Sequence, residues 1–190
     1  KAVVYVSMGE GTSSQGDFHE ALNWASRDKA PVIFHVENNH FAISVPIEDQ
    51  TAGASVYKIS AGYENLARFK VNGTDFFETH LAFKKSVERA RKGKGPSLIV
   101  SDVVRLLPHS SSDDQRKYRS DIDLHADKKR DPLLVFANTC IEEKIATHKD
   151  FEKISEKIKT QVDLDAEWAE LQLDPNPADA FKNVFMDINQ

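Results

Sequence analysis

Apolar and polar residues alternate in blocks over the first 42 residues. Two apolar runs, residues 3–8 and 32–36, each end at a short polar break. Between them, apolar side chains recur at the spacing of one helix face over residues 17–27: Phe18, Ala21, Leu22 and Ala25. Two buried strands joined by one helix form a parallel unit, so we expect both breaks at the same, carboxyl end of a sheet.

The pattern continues to residue 104 with the same alternation of strands and helices. Residues 67–71 and 97–104 are apolar enough for two further strands, and residues 56–62 favour a short helix. A long helix is predicted over residues 75–92, opened by a capping box of Asp75 and Glu78. These elements predict an α/β chain with a mostly parallel sheet and helices on both faces.

The character of the chain changes after residue 104. Residues 105–129 are polar and Gly-free and predict a long functional loop, whereas residues 131–190 return to helical patterns. Apolar stripes predict these C-terminal helices, and a last short amphipathic piece is expected over residues 178–188. We therefore predict an α/β domain over residues 1–130 and a helical C-terminal region over residues 131–190.

Composition and charge exclude several classes of protein. The net charge is −5, and no basic block dominates, which argues against sequence-independent nucleic-acid binding. No apolar run approaches the roughly 18 residues of a membrane span. The only cysteine, Cys140, excludes an internal disulfide framework and fits a reducing compartment. The chain starts inside a strand pattern without an initiator Met, so we expect it to be part of a longer polypeptide.

The two polar breaks carry the candidate chemistry. The first is Gly9-Glu10-Gly11 and the second contains Asn38-Asn39, with about 26 residues between them. If both lie at the carboxyl end of one sheet, they meet where open α/β sheets bind ligands. A carboxylate, an amide oxygen and the start of a helix together suit a divalent cation bound to a phosphate.

Two other interpretations of these breaks stay open from the residues alone. The glycines and asparagines are also ordinary turn residues. Alternatively, Gly9, Gly11 and Ser14 follow a strand in an atypical dinucleotide fingerprint, with Glu37 as the ribose-binding acid of a nicotinamide-dependent oxidoreductase. That interpretation leaves the paired asparagines unexplained and places Glu10 beside a pyrophosphate, which only a cation makes favourable.

The combined motifs resemble the thiamine diphosphate signature of 2-oxoacid decarboxylating enzymes. The segments GDFHEALNWA, ENNHFAISVP and RLLPHSSSDDQRKYRS are similar to the alpha subunit of the decarboxylating component of 2-oxoacid dehydrogenase complexes. The resemblance is specific over residues 3–119 and implies a thiamine-diphosphate-binding fold, here without its N-terminal part. Glu10 between the glycines resembles the branched-chain branch, since the pyruvate branch usually has Asp there.

The resemblance implies a magnesium site and a cofactor diphosphate site. Glu10 and Asn39 match the side-chain ligands of Mg²⁺, and the backbone carbonyl of Phe41 matches a third protein ligand. Four further residues match positions that bind the cofactor: Gly9, Gly11, Thr12 and Arg105. Among them, Arg105 is expected to pair with a phosphate.

The remaining matched residues lie in the polar loop. His109 matches the catalytic histidine, which faces the cofactor and the incoming lipoyl group. Asp113, Tyr118 and Arg119 match residues that order this loop by hydrogen bonds and ion pairs. Ser110 matches a serine that a dedicated kinase phosphorylates in mitochondrial relatives.

The implied activity is oxidative decarboxylation of branched-chain 2-oxo acids of the 3-methyl-2-oxobutanoate type. Thiamine diphosphate and Mg²⁺ are the cofactors, and the acyl group passes to the lipoyl group of a carrier acyltransferase. The partner is a beta subunit, or a beta portion of a fused chain, that supplies the missing part of the active centre. We therefore expect the chain to be inactive alone, and to act in the bacterial cytoplasm or the mitochondrial matrix.

Besides the nicotinamide-dependent oxidoreductase, two further alternatives to this prediction stay open. Within the same class, the chain would be the alpha subunit of a pyruvate or acetoin dehydrogenase. From another class, it would be a non-catalytic assembly module that keeps the fold. Metal-dependent binding of thiamine diphosphate, metal-free binding of NADH, or binding of neither distinguishes the classes.

Overall fold

The computed structural model describes residues 2–182 and residue 184. The chain divides into two compact units, Lys1–Thr139 and Cys140–Gln190. The predicted domain boundary after residue 130 stays a prediction. All the residues of the predicted magnesium and cofactor site belong to the first unit.

Parallel strands form the central sheet of the first unit. The strands are, in chain order, β1 (Val4–Gly9), β2 (Val32–Asn38), β3 (Phe41–Ala42), β4 (Val45–Pro46), β5 (Ala67–Asn72) and β6 (Ser97–Asp102). Four of them form a parallel sheet in the order β1-β2-β6-β5, while β3 and β4 form a separate hairpin. Register places Gly9 opposite Glu37 and Asn38 opposite Asp102. The strands therefore end together at one edge.

Helices cover both faces of this sheet. The α-helices of the described residues are, in chain order, α1 (Gly16–Arg27), α2 (Ile47–Gln50), α3 (Val56–Ile59), α4 (Phe76–Arg91), α5 (Asp121–Lys129), α6 (Pro132–Glu142) and α7 (His148–Glu170), of which α1, α3 and α4 pack against the sheet. On one face, α1 and α3 share a core with the inner strands: Phe18, Leu22, Ala25, Phe34, Val36, Val56, Leu98 and Val100. On the other face, α4 closes a second cluster: Ile33, Val71, Ala82 and Ile99. The predicted fold class is confirmed.

Only one of the two contacts of the predicted capping box is present at the start of α4 among the described residues. The carboxylate of Asp75 accepts hydrogen bonds from the backbone N–H groups of Phe77 at 2.8 Å and Glu78 at 3.0 Å. The N–H of Asp75 donates to the carbonyl of Asn72 instead of the Glu78 side chain. The Asp75 cap is therefore present, and the reciprocal Glu78 contact was a wrong prediction.

The first strand is exposed, although the sequence predicts a buried one. Val4, Tyr5 and Val6 keep 54%, 53% and 38% of their surface accessible. The physical reason is the strand order, because β1 lies at the edge of the four-stranded sheet and pairs only with β2. An apolar run reveals a strand, but it does not reveal how many neighbours the strand has.

The predicted loop over residues 105–129 contains more regular structure than expected. Its second half is α5, whose first turn is capped by Ser120, since the hydroxyl of Ser120 accepts from the N–H of Asp123 at 3.1 Å. Asp121 and Asp123 lie in the first turn and Lys128 and Lys129 in the last, as the helix dipole favours. The irregular segment is thus residues 105–120, interrupted by one 3-10 turn.

Helices also make up the second unit, as predicted. Helix α7 begins after Thr147, whose N–H donates to the carboxylate of Asp150 at 2.9 Å. Its apolar stripe is exposed, with Ile154 and Ile158 more than half accessible. The predicted final piece overlaps a 3-10 turn, Pro177–Phe181, and residues 183 and 185–188 of it lie outside the described residues. Within the described part, every helix is too short or too polar to cross a membrane.

Candidate functional site

A cleft of about 470 Å³ lies where β1 and β2 end. We call it the sheet-end cleft. Seven of the residues predicted from the sequence line it: Gly9, Glu10, Gly11, Thr12, Asn39, Phe41 and His109. The structure therefore brings the two polar breaks and the loop histidine together, although 70 residues separate Asn39 from His109.

Glu10 is buried, whereas the other residues that line the cleft are partly or fully exposed. Its side chain is fully buried, and its Oε2 atom accepts the backbone N–H of Asn39 at 3.1 Å. Its Oε1 atom is also buried and accepts no hydrogen bond from the described residues. A buried carboxylate with an uncompensated oxygen is unfavourable by several kcal/mol unless a cation is nearby. This carboxylate therefore fits a bound metal ion.

Asn39 and Phe41 supply the second side of the predicted metal site. The Oδ1 atom of Asn39 accepts the N–H of Phe41 at 3.1 Å, and an amide oxygen with two lone pairs keeps one for a cation. No group of three or more His, Cys, Asp or Glu residues that could hold a metal occurs among residues 2–182 and 184. A metal site here would consist of one carboxylate, one amide and one backbone carbonyl, which are hard oxygen ligands of the kind Mg²⁺ takes.

The turn that follows β1 is short and tightly held. Residues Glu10–Ser14 form a 3-10 turn, and α1 begins only at Gly16. The predicted cofactor-binding residues Gly11 and Thr12, which the resemblance places at the start of a helix, thus lie in the 3-10 turn that precedes α1. The leading N–H groups of such a turn have no partner within it, so they can face an anion.

Gly11 occupies a position that a side chain would crowd. A Cβ atom on Gly11 would lie 3.0 Å from the Cβ of Ala42 in β3. The 3-10 turn and the β3–β4 hairpin therefore approach each other closely at this end of the sheet. This glycine is needed for the close approach of two backbones and not for an unusual φ angle.

Sequence reasoning missed two side chains that hold this turn. The hydroxyl of Ser13 donates to the carbonyl of Glu10 at 2.6 Å. From α2, Gln50 Nε2 donates to the same carbonyl at 3.0 Å and lies 2.9 Å from the hydroxyl of Ser14. Ser13 was within reach of local pattern analysis, but Gln50 contacts Glu10 from 40 residues away and leaves no signal in the sequence.

In the loop that carries His109, one carboxylate links the backbone of His109 to the side chain of Tyr118. Asp113 Oδ2 accepts the N–H of His109 at 2.9 Å and the hydroxyl of Tyr118 at 2.6 Å. The hydrogen bond from Tyr118, followed by the one from the His109 backbone, lowers the pKa of Asp113. Burial, followed by the hydrogen bond to Asp113, raises the pKa of Tyr118. The loop is therefore ordered by an ionised carboxylate and a protonated phenol.

Arg105 contributes to this loop from the end of β6. Its guanidinium donates to the carbonyl of Ile43 at 2.7 Å and to the hydroxyl of Tyr118 at 2.6 Å, and it lies 5.6 Å from the centre of the Phe41 ring. Arg105 is thus beside the sheet-end cleft, with two protein acceptors. Its predicted contact with a phosphate stays a prediction.

Arg119 connects the loop to α5. Its buried side chain pairs with Asp127, donates to the carbonyl of Arg105 at 3.0 Å and lies over the ring of Phe41. Ser110, in contrast, is exposed, and its hydroxyl lies 3.2 Å from that of Ser112. The assigned roles of both residues stay predictions, but Arg119 has the contacts that an ordering residue requires.

Comparison with known proteins gives the family. A family model described as the dehydrogenase E1 component matches residues 1–178. The chain is 47% identical over 132 residues to the 2-oxoisovalerate dehydrogenase subunit alpha of Bacillus subtilis (strain 168). The aligned region covers 70% of this chain and 40% of the relative. The chain is 37% identical over 132 residues to the 3-methyl-2-oxobutanoate dehydrogenase subunit alpha of Mycobacterium tuberculosis (strain H37Rv), over 70% and 36% of the two chains.

A pyruvate-type relative is also similar. The pyruvate dehydrogenase E1 component subunit alpha of Staphylococcus aureus (strain Mu50) is 41% identical over 139 residues, over 71% of this chain and 36% of the relative. The chain thus spans less than half the length of each of these relatives. Since the family model covers nearly all of the described residues, the chain belongs to the dehydrogenase E1 component family.

Proposed function

We propose that this chain is the cofactor-diphosphate part of a thiamine-diphosphate-dependent 2-oxoacid dehydrogenase that acts on branched-chain 2-oxo acids. The single observation that carries the proposal is the buried Glu10 carboxylate, with one oxygen unpartnered among the described residues and the other on the N–H of Asn39. When bound, thiamine diphosphate supplies an electron sink for the loss of CO₂ from a 2-oxo acid.

Different residues of the sheet-end cleft would bind the metal ion and the diphosphate of this cofactor. Glu10, Asn39 and the carbonyl of Phe41 would hold Mg²⁺, which in turn neutralises the diphosphate. The backbone N–H groups of Gly11 and Thr12 would donate to phosphate oxygens. Each of these groups lies on the lining of one cleft, so a single ligand can reach them all.

His109 is the residue of the cleft that can transfer a proton near neutral pH. Its backbone N–H donates to Asp113, which holds this residue at the cleft. We expect His109→Ala to block acyl transfer to the lipoyl group while the affinity for thiamine diphosphate stays within about twofold, because the residue is not a metal ligand in this proposal. Unchanged acyl transfer in the variant would remove His109 from the catalytic residues.

The substrate proposal is supported by two relatives and one residue. Two of the similar proteins are named for 2-oxoisovalerate or 3-methyl-2-oxobutanoate, and the first has the higher identity, 47% against 41% for the pyruvate-type relative. Glu10 between the glycines also resembles the branched-chain branch. The proposed partners are a beta subunit, or beta portion, and a lipoyl acyltransferase that receives the acyl group.

The test is turnover by the intact assembly of the full-length protein with its beta partner. Release of CO₂ and acylation of a lipoyl domain are measured with 3-methyl-2-oxobutanoate and with pyruvate, in the presence of Mg²⁺ and thiamine diphosphate. We expect kcat/KM for the branched substrate to be at least tenfold higher, about 1.4 kcal/mol of discrimination. Preference for pyruvate would support the alternative substrate, and no turnover of either would contradict the proposal.

A further inference from the structure

His40, between the two proposed ligand residues Asn39 and Phe41, has an unusual backbone. Its φ angle is +69°, in the left-handed region that residues with a Cβ atom adopt only at an energetic cost. The φ and ψ angles of residue 40 set the direction of Asn39 relative to Phe41. If this residue relaxed to an extended conformation, the two proposed ligands would turn away from each other.

The side chain of His40 is held by the end of another strand. Its Nε2 atom lies 2.6 Å from Oδ1 of Asp102, the last residue of β6, and Oδ2 of Asp102 lies 3.5 Å from the guanidinium of Arg130. Asp102 pairs in register with Asn38, so it is a fixed point of the sheet. The carboxylate thus connects the sheet to residue 40 across 62 residues of sequence.

The backbone around His40 is also constrained by two hydrogen bonds. Its N–H donates to Oδ1 of Asn38 at 3.2 Å, and its carbonyl accepts from Ile47 at 2.9 Å. These contacts fix the ends of the turn. Among the described residues, the contact with Asp102 holds the His40 side chain, and it therefore opposes rotation of the residue out of the left-handed region.

We propose that Asp102 is a positioning residue, which holds His40 in the left-handed conformation and thereby directs Asn39 and Phe41 toward the metal beside Glu10. This inference rests on the proposed function, because it assumes that a metal binds there. Asp102 itself does not line the sheet-end cleft, so it acts only through His40.

The test is the Mg²⁺ dependence of thiamine diphosphate binding to the intact assembly, measured by calorimetry. We expect Asp102→Ala to raise the Mg²⁺ concentration at half saturation about tenfold, the size typical of residues that orient metal ligands. The matched control is Asp102→Asn, whose amide oxygen can still accept from Nε2–H, and it should stay within about threefold of the wild type. An Asp102→Ala protein with the wild-type Mg²⁺ dependence would overturn the inference.

A double-mutant cycle keeps the inference testable if Asp102 also affects folding. Glycine adopts a φ angle of +69° without strain and has no side chain to hold. In a His40→Gly background, Asp102→Ala should therefore have little further effect on the Mg²⁺ dependence. An equal effect with and without the histidine would show that Asp102 acts by another route and would refute the proposal.

The failure of the inference differs from the failure of the proposed function. If the wild-type assembly binds thiamine diphosphate only with Mg²⁺, and the Asp102 variants follow the wild type, the positioning role alone is wrong. If the wild-type assembly binds neither ligand, both the function and the inference are wrong.

Discussion

At the scale of single residues, the Glu10 carboxylate is the central feature, because it has no contact with solvent. Glu10 accepts one backbone hydrogen bond, from Asn39, and its second oxygen has no donor among the described residues. A protein tolerates such a group when it binds a cation for function, because stability alone favours a neutral side chain there. Under the proposed function, the same arrangement should lower the stability of the cofactor-free protein and raise its affinity for a metal.

Replacement of Glu10 by glutamine should therefore raise the stability of the cofactor-free protein and weaken metal-dependent cofactor binding. Glu10→Gln keeps the size of the side chain and removes its charge, so the cofactor-free protein should gain about 1 kcal/mol of unfolding free energy. Metal-dependent binding of thiamine diphosphate should weaken roughly 100-fold, because a buried charge pair worth about 3 kcal/mol is lost. Denaturant unfolding and calorimetry measure the two effects, and a loss of stability in the cofactor-free variant would contradict the account.

His35 is a second buried ionisable residue, and it lies within the sheet. Its ring nitrogens lie 3.0 Å from the hydroxyl of Tyr5 and 2.8 Å from that of Ser101. Burial lowers its pKa from the ordinary value of 6.5, against a smaller opposing effect of the Glu37 carboxylate. The side chain is therefore held in its neutral form.

The lowered pKa of His35 predicts how stability varies with pH. As the pH falls below about 6.5, the unfolded chain takes up a proton at this position before the folded protein does, so stability decreases. Stability should thus rise as the pH increases toward and through about 6.5. In His35→Gln this part of the dependence should disappear from denaturant unfolding curves, and an unchanged slope would show that His35 does not control it.

At the scale of elements, the loop of residues 105–120 depends on a few polar contacts. Tyr118 connects Arg105 to Asp113, and Asp113 holds the backbone of His109. Few apolar side chains of this loop are buried, so its order depends on hydrogen bonds. The loop should therefore respond strongly to the loss of one hydroxyl group.

Tyr118→Phe tests this dependence. Removal of the hydroxyl should cost about 1 kcal/mol of local order, which increases the rate of tryptic cleavage after Arg116 about fivefold when opening is fast. The matched control is Tyr57→Phe, because the hydroxyl of Tyr57 makes no hydrogen bond in the part of the chain that the structure describes. Equal cleavage of the two variants and the wild type would show that the Tyr118 hydroxyl does not order the loop.

The elements also show what the sequence can and cannot predict. Buried strands and amphipathic helices were located to within about two residues, because their apolar periods are long and regular. Helix α5 was missed, since it is exposed and lacks an apolar stripe. The exposure of β1 was missed because it depends on the order of the strands, which is a property of the whole sheet.

Some features of the candidate site were also predictable from the sequence, and others were not. The meeting of Glu10 and Asn39 followed from the parallel β–α–β unit, in which the two strands end at one edge. The contacts of Gln50 and Asp102 were not predictable, because each connects the site to a residue at least 40 positions away. Local patterns therefore predicted the candidate ligands, and only the tertiary structure revealed the residues that hold them.

At the scale of the whole molecule, the chain belongs to the dehydrogenase E1 component family and spans less than half the length of its similar relatives. Under the proposed function, the cofactor would bind between this chain and a beta partner, so the tests use the intact assembly. We propose that one metal ion in this assembly is held by two side chains, the carboxylate that follows β1 and the amide that follows β2.

Anomalous diffraction from crystals of the assembly with thiamine diphosphate and Mn²⁺ in place of Mg²⁺ tests this claim most directly. We predict one strong manganese peak within about 2.3 Å of a Glu10 carboxylate oxygen, of Oδ1 of Asn39 and of the carbonyl oxygen of Phe41. Bound thiamine diphosphate with the manganese peak elsewhere, or with Glu10 and Asn39 directed away from it, would contradict the account.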